Sequence, residues 1–496
     1  MRRRSIRPLY TSMPSAIAPA DTPSSSPQLR AATVLATLVP PVLVVTLVAL
    51  WGVDLPHWDQ FALVPHLEAL SAGELALGDL WRPHNEHRLF VPQLLMLALA
   101  SASGWNVRWE LALHPLLALG IFLLAAHLLR TEAGDRRLPP WIWPALSLLV
   151  FSTSQWENWT WGWQSQIFLA VLGLLGAVVL LARSDRLGAT WAAAACATLA
   201  SLSFAVGLLV WFAAAPLLLR ARSRRQAALR LAVWTAAAGM VITAVLHGLP
   251  SSTAPTVDES LPRLLKLFGG YVSLYLGSPV FGWPHVALYG GFVAVVAVAV
   301  LVLVRLRPLL GRRGDDSRVE RDATLLSAAL DRALPWLALL AFGVACACIT
   351  GYGRLGFGIG QASASRYVTI SNMFWLGALG LWLAARPEPS DRTTRRRDAL
   401  VAVLVGVLLV TNAARGVKAF HAQHAERAPI RAELVASGPS ALTEENLLAI
   451  FPVAEMARDR LQTLEELGFG PRRDLASSKS PAASSPTLEP TAAPSP

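Results

Sequence analysis

Charged residues are scarce in this chain, and that scarcity argues against a soluble globular protein. Asp, Glu, Lys and Arg together make up only 15% of the 496 residues, whereas a soluble domain carries about 25%. Hydrophobic residues account for 54%. They collect in long runs, several of which approach the ~20 residues that a helix needs to cross a bilayer. We therefore expect a polytopic integral membrane protein.

Cysteine is equally rare. The three cysteines, Cys196, Cys346 and Cys348, all lie within apolar runs, and a Cys-Ala-Cys spacing is not typical of a metal site or a redox pair. We expect all three to be small core residues. The strict alternation of polar and apolar residues that membrane-spanning strands require is also lacking, so the predicted fold class is all-α.

The net charge of +11 does not indicate nucleic-acid binding. The arginines fall between the hydrophobic runs, where basic residues set the orientation of a membrane protein, rather than along one soluble face. The runs themselves predict about eleven crossings, at 31–51, 111–129, 140–153, 166–182, 190–204, 206–219, 231–247, 285–304, 334–350, 367–385 and 399–414.

The arginine-rich loops predict the topology. If the apolar segment 89–101 lies along the outer membrane face, nearly all of these loops fall on one side, as the positive-inside rule requires. The amino end is then cytoplasmic and the carboxyl end extracytoplasmic, in a multi-pass protein of the cell (plasma or inner) membrane. The predicted divisions are a disordered basic cytoplasmic arm (1–30), a transmembrane domain (31–414), a small extracytoplasmic helical segment (415–475) and a disordered Pro/Ser/Ala tail (476–496).

The first predicted outer loop holds the most side chains suited to chemistry. Asp59 follows the first crossing, and a carboxylate at the mouth of a membrane cavity could act as a general base. Four residues before segment 89–101 are candidates for contact with phosphate or acceptor: His84, Glu86, His87 and Arg88. Their alternative role is that of solvated loop charges, and a metal site is a further alternative with a weak His-x-x-His signal.

A second outer loop interleaves tryptophan with polar residues. Trp159, Trp161 and Gln164 could stack on a sugar ring and hydrogen-bond its hydroxyls. Tryptophans at a membrane surface also form interfacial belts that bind nothing. Both interpretations stay open.

A third, glycine-rich outer loop supplies Arg354 and leads to Arg366 and Tyr367 at the start of a crossing. An outward-facing arginine at that position is a candidate clamp for a phosphate group. The alternative is that its long side chain only reaches toward the membrane interface.

The order of features in the first part of the chain resembles a known family. An acidic residue just after the first crossing (58–60) is followed by a helix ending in Ala-Gly-Glu (72–74). A polar turn and a proline-bearing apolar segment (85–103) come next, and then Gly-Trp-Asn-Val-Arg (104–108). This pattern resembles the GT-C superfamily of membrane glycosyltransferases, especially the branch of aminoarabinose and protein O-mannosyl transferases. Farther along the chain the resemblance is one of topology alone.

The resemblance implies both a fold and a reaction. In that superfamily the first outer loop forms juxtamembrane helices and carries a catalytic aspartate, and Asp59 stands at this position. The sugar donor is linked to polyprenyl phosphate. Gln60 replaces the usual second acidic residue, and the stretch 84–88 replaces the usual Lys-Pro or Pro-Pro.

We therefore expect an inverting glycosyltransferase that moves a sugar from polyprenyl phosphate to a cell-envelope acceptor at the outer face. Asp59 would be the base, and Arg366, with Arg88 or His87, would hold the leaving phosphate. No cofactor is expected, although a divalent cation stays open. The expected partners are the lipid-linked donor and membrane lipids, not nucleic acid.

Two other functions stay open. A transporter or flippase would favour charged residues within its crossings and inverted repeats. The crossings hold little more than His114 and His127, and no repeat is evident. A non-catalytic subunit of envelope assembly is the second alternative, and it would tolerate loss of the outer-loop carboxylates.

Overall fold

The computed structural model describes residues 26–250, 257–310, 316–385 and 392–474. Within these ranges the chain forms helices joined by short turns and contains no β-strand, which confirms the predicted all-α class. An isolated bridge joins His84 to His87. The predicted tail and most of the predicted amino-terminal arm lie outside the described residues.

Eighteen α-helices follow one another along the described chain: α1 (Pro27–Trp51), α2 (Val64–Ser71), α3 (Leu77–Leu80), α4 (Phe90–Ser103), α5 (Val107–Ala133), α6 (Ile142–Val150), α7 (Trp156–Thr160), α8 (Ser165–Arg183), α9 (Leu187–Ser201), α10 (Val210–Ala213), α11 (Arg224–Leu246), α12 (Leu261–Gly277), α13 (Pro284–Leu310), α14 (Asp316–Arg354), α15 (Val368–Ala385), α16 (Arg392–Ser437), α17 (Glu444–Ile450) and α18 (Ala454–Glu466).

Eight helical segments of the described chain are long and apolar enough to cross a membrane, and they centre on α1, α5, α8, α11, α13, α14, α15 and α16. They coincide with eight of the predicted crossings. The other three predicted crossings fall on shorter elements: α6, α9 and the stretch 205–219, in which 3-10 turns flank α10. The chain therefore has the helices of a multi-pass membrane protein.

Helices α1 and α8 illustrate two different positions in the bundle. At the start of α1, Ser26 Oγ accepts a hydrogen bond from Leu29 N, and Pro27 occupies a first-turn position that needs no N–H donor. Most of the α1 side chains are exposed and apolar, as expected of a helix that faces lipid. Helix α8 is instead mostly buried and forms the centre of the core.

The arginines of the predicted cytoplasmic loops meet at one end of the bundle, here called the basic end: Arg30, Arg130, Arg136, Arg183, Arg220 and Arg332. Arg183 Nη1 lies 2.6 Å from His127 Nε2, and Arg220 Nη1 lies 3.6 Å from Glu132 Oε1. The opposite end, here called the polar end, carries the predicted site residues.

The three shorter elements belong to stretches of chain that lead from one of these ends toward the other. Helix α6 has Trp143 in its first turn. The Trp143 ring lies 4.7 Å from the Arg130 guanidinium at the basic end, and the helix leads toward α7 at the polar end. Helix α9 begins at the basic end, and just beyond its last turn Leu202 O accepts a hydrogen bond from Val91 N. The stretch 205–219 then returns to Arg220. All three elements are shorter than the eight membrane-length helices.

Helix α12 was not among the predicted crossings. Charged residues interrupt its apolar pattern near its start (Arg263 and Lys266), so no apolar run marks it. It packs closely against α13, because a Cβ atom on Gly277 would lie 1.9 Å from Ala287 O. Only glycine permits this approach of the two backbones.

Helix α4 corresponds to the segment predicted to lie along the membrane face. Its 14 residues give a length of about 21 Å, less than the ~30 Å hydrocarbon core of a bilayer. Pro92, Met96 and Ala100 are buried, while Leu94 is exposed. The helix therefore packs on the bundle with one face.

The carboxyl-terminal segment packs on the polar end. Helix α16 runs without a break through the predicted boundary at 414/415, so this boundary lies inside a helix. Beyond it, Arg473 Nη1 lies 2.7 Å from Asp54 Oδ2, and Arg460 Nη1 donates to Phe61 O at 2.7 Å. The two ends of the described chain thus lie at opposite ends of the bundle.

Candidate functional site

Asp59 lies in the 3-10 helix Trp58–Leu63, just beyond the end of α1. Its Oδ1 atom is 3.3 Å from His84 Nε2, and 34% of its side chain is exposed. The His84 ring in turn packs 5.0 Å from the Trp163 ring. The carboxylate is therefore partly accessible to solvent, and an imidazole lies beside it.

A buried carboxylate on α5 fixes the turn that carries Asp59. Glu110 accepts hydrogen bonds from Gln60 Nε2 at 2.6 Å and from Trp105 Nε1 at 2.8 Å. Gln60 Oε1 also accepts from His57 N at 3.2 Å. Sequence reasoning missed Glu110, whose one signal was an acidic residue in the first turn of an apolar helix.

Replacing Glu110 by Ala should lower the melting temperature of the purified protein in detergent. The change leaves two buried donors without an acceptor, and each such donor costs about 1–3 kcal/mol. Glu68→Ala, at an exposed position on nearby α2, is the matched control and should melt like wild type. Equal melting of Glu110→Ala and wild type would contradict the positioning role.

The turn 84–87 carries Glu86, which forms an ion pair with Arg354. His84 and His87 exchange both backbone hydrogen bonds, at 2.8 and 3.0 Å, with Asn85 in the left-handed region at φ 51°. Glu86 Oε2 lies 3.2 Å from Arg354 Nη2. Burial lowers the pKa of His87 to about 4, so this imidazole is neutral at pH 7.

Arg88 does not join these residues. Its side chain is buried, and its Nε atom donates to Val245 O at 3.0 Å. Its other two nitrogens donate to the carbonyl oxygens of Trp81 and His247. The predicted phosphate contact instead caps the end of α11, where a cation is favoured.

Arg366 is paired with Glu157, which lies in α7. Arg366 Nη1 lies 2.8 Å from Glu157 Oε1, and Glu157 Oε2 accepts from Arg366 N at 3.0 Å and from Ser365 Oγ at 2.7 Å. The guanidinium also lies 5.3 Å from the Tyr367 ring. Since 28% of the Arg366 side chain is exposed, part of the guanidinium remains open to a ligand.

Tyr271 of α12 is a buried tyrosine in the neighbourhood of the two arginines. Its ring is fully buried, and its hydroxyl has no hydrogen-bond partner among the described residues. It lies within electrostatic reach of Arg354, Arg366 and Tyr367. The polar residues at this end of the bundle are here called the polar row: Asp59, His84, Glu86, Arg354, Tyr271, Arg366 and Glu157.

The tryptophan loop is more deeply buried than a binding surface would be. Trp159 is fully buried and donates from Nε1 to Ser152 O at 2.9 Å. Trp161 donates to His57 O at 2.9 Å and so ties α7 to the first loop. Gln164 is buried, and its Oε1 atom has no partner among the described residues. Trp159 is therefore a core residue rather than a stacking platform.

A cavity of about 430 Å³ opens beside Glu157, where α7, the turn 278–284 and α16 meet. Trp156 and Phe281 supply aromatic walls, and Glu157, Asn412 and Arg415 supply polar groups. The Arg415 guanidinium lies 4.8 Å from the Trp283 ring. Sequence reasoning missed this cavity because its walls come from segments far apart in the chain.

Within the described residues, no three His, Cys, Asp or Glu side chains are close enough together to hold a metal ion. The two histidines of the 84–87 turn are therefore not part of such a group. Comparison of the chain with protein-family models, with curated proteins and with solved structures finds no match.

Proposed function

We propose that this chain is a GT-C-like inverting glycosyltransferase that moves a sugar from a polyprenyl-phosphate donor to a cell-envelope acceptor at the outer membrane face. One observation carries the proposal. An accessible carboxylate, Asp59, lies in the same polar row as two arginines, Arg354 and Arg366, at one end of a bundle of membrane-length helices.

In this reaction Asp59 accepts a proton from the acceptor hydroxyl. The acceptor oxygen then forms a bond to the anomeric carbon as the bond from that carbon to the phosphate oxygen breaks. Polyprenyl phosphate leaves with the electron pair, and the sugar is inverted. His84 lies beside this carboxylate, with its Nε2 atom 3.3 Å from Oδ1.

The leaving phosphate is best served by Arg354 and Arg366. A guanidinium offers planar paired donors to phosphate oxygens, and Glu86 and Glu157 hold the two arginines in place before a donor arrives. Arg88 bonds backbone carbonyls, and His87 is neutral at pH 7 because its pKa is about 4. We therefore assign binding of the leaving phosphate to Arg354 and Arg366.

The cavity beside Glu157 suits a sugar. Its aromatic walls offer stacking surfaces, and its serine, amide and charged groups offer partners for hydroxyls. Helix α7 has Trp156 and Glu157 in this cavity and is followed by Trp161, which bonds the first loop. A five-residue helix is about 7.5 Å long, so one rigid element links the cavity to the Asp59 turn.

Eleven crossings and an extracytoplasmic carboxyl end fit this proposal. The proposed count adds the short elements α6, α9 and 205–219 to the eight membrane-length helices. Arg30 lies at the basic end and Arg473 at the polar end, which fits an odd number of crossings. Under the positive-inside rule the basic end would be cytoplasmic and the polar end would face outside.

Cysteine labelling tests this orientation. In a variant whose native cysteines are replaced by alanine, Glu74→Cys and Gln462→Cys should react with a membrane-impermeant maleimide in intact spheroplasts. Both positions are exposed and belong to segments at the polar end. Asp135→Cys, exposed beside the basic end, should react only after permeabilisation. Labelling of Asp135→Cys from outside would invert the proposed topology.

Mass spectrometry of the cell envelope in a deletion strain tests the function. We expect an acceptor that lacks one sugar and a polyprenyl-phosphate sugar that accumulates in the lipid extract. If the protein were a flippase, its deletion would instead leave the lipid-linked cargo on the cytoplasmic leaflet. Unchanged envelope glycans and unchanged lipid-linked sugars would overturn the proposal.

A further inference from the structure

A groove of about 610 Å³ opens at the basic end between α1, α5 and the stretch that leads into α6. It lies at the opposite end of the bundle from the polar row and shares no residue with it. Its walls are mostly apolar and include Leu38, Phe122 and Leu123. The groove thus lies outside the proposed glycosyltransferase site.

The arginines of this groove are concentrated at one end. Arg30 and Arg130 line it beside His127, and no Asp or Glu does so among the described residues. Arg130 is held over the Trp143 ring at 4.7 Å, and Arg183 lies 2.6 Å from His127. The mouth of the groove is therefore positively charged and has partly fixed geometry.

The polarity of the groove changes along α1. Arg30 lies in the first turn, and Leu38 lies eight residues later, about 12 Å farther along the helix. Val34 and Leu38 are 58% and 52% exposed, on the side of α1 that would face lipid. A cationic mouth at the membrane surface followed by an apolar channel matches the order of headgroup and acyl chain in a phospholipid.

We propose that this groove binds one anionic glycerophospholipid of the surrounding bilayer. Arg30 and Arg130 bind the phosphate through charge-assisted hydrogen bonds, and an acyl chain lies between α1 and α5 against Leu38 and Phe122. Basic pockets between membrane helices on the cytoplasmic side are suited to anionic headgroups. The bound lipid packs between α1 and α5 and takes no part in sugar transfer.

Native mass spectrometry of the purified full-length protein tests the proposal, with phosphatidylglycerol and phosphatidylcholine as the probes. Wild type should retain phosphatidylglycerol, and an equal amount of phosphatidylcholine should be lost at the same activation energy. Arg30→Gln/Arg130→Gln should reduce the retained fraction about tenfold or more. Arg222→Gln should not, because Arg222 is 89% exposed and lies outside the groove.

A second variant separates lipid binding from damage to the fold. Leu38→Trp keeps every charge and fills the apolar channel from an exposed position, so it should also release phosphatidylglycerol without changing the melting temperature of the lipid-free protein. Equal retention of both lipids by wild type, or full retention by the double arginine variant, would overturn the proposal. Stabilisation by inorganic phosphate equal to that by phosphatidylglycerol would likewise exclude a lipid.

Discussion

Asp59→Asn should reduce sugar transfer by about 10²–10⁴-fold, the usual contribution of a general base. Asparagine keeps the shape of the side chain but cannot accept the acceptor's proton. Because Asp59 is partly exposed and lies 3.3 Å from His84 at its Oδ1 atom, folding and membrane insertion should be unaffected. Complementation of a deletion strain, followed by envelope glycan analysis and quantification of the membrane-inserted protein, measures both effects.

The control for this variant follows from the structure. Glu74→Gln changes an exposed carboxylate in the same loop and should complement fully. Asp54→Asn would be a poor control, because buried Asp54 accepts from Val107 N at 2.9 Å and pairs with Arg473. Full complementation by Asp59→Asn at normal expression would show that Asp59 is not the base.

Arg366→Ala should raise the apparent KM for the lipid-linked donor by about 10–100-fold. This range corresponds to the ~1.5–3 kcal/mol contributed by hydrogen bonds to a charged group. Arg366→Lys should recover only part of the loss, because lysine keeps the charge without the planar pair of donors. Initial rates at varied donor concentration, measured on reconstituted protein, give the values.

A double variant distinguishes phosphate binding from loss of an ion pair. Arg366→Ala leaves Glu157, whose side chain is only 16% exposed, as an uncompensated charge, and Glu157→Gln removes that charge. If Arg366 binds the donor phosphate, Arg366→Ala/Glu157→Gln should regain stability while its KM for the donor stays above that of Glu157→Gln alone. Recovery of wild-type KM in the double variant would mean that Arg366 serves only to hold α7 against α15.

The long crossings could be predicted from sequence because an apolar run of membrane length has few other stable structures. Segment 205–219 shows where that reasoning weakens, since its apolar run folds into short helical turns rather than one helix. Helix α12 shows the opposite case, a helix that no apolar run marks in the sequence. Its first turns carry Arg263 and Lys266, and its place in the bundle depends on packing against α13 and α14.

The contacts of the candidate site depend on tertiary structure that no local pattern encodes. Gln60 meets Glu110 across 50 positions, and Arg366 meets Glu157 across 209. The sequence could mark Asp59, Arg354 and Arg366 as polar residues beside crossings. It could not show that Asp59 lies beside a histidine, or that each arginine pairs with a carboxylate. Both facts depend on which loops meet.

The same reason explains the tryptophan loop. Tryptophan beside Gln, Glu and Asn is compatible with a sugar site, an interfacial belt or a core, and burial decides among them. Trp159 is buried in the core, whereas Trp156, three residues earlier, lines the cavity beside Glu157. Which indole faces outward follows from the rotation of α7, a short helix fixed by its contacts with α16 and the Ser365–Tyr367 turn.

Consumption of the accumulated donor by purified protein tests the central claim most directly. The lipid extract of the deletion strain serves as the source of donor and is mixed with wild-type or Asp59→Asn protein in vesicles together with cell envelopes from that strain. Wild type should convert the polyprenyl-phosphate sugar to polyprenyl phosphate and glycosylated acceptor, and Asp59→Asn should leave it intact. No conversion by wild type, or equal conversion by both proteins, would contradict the account.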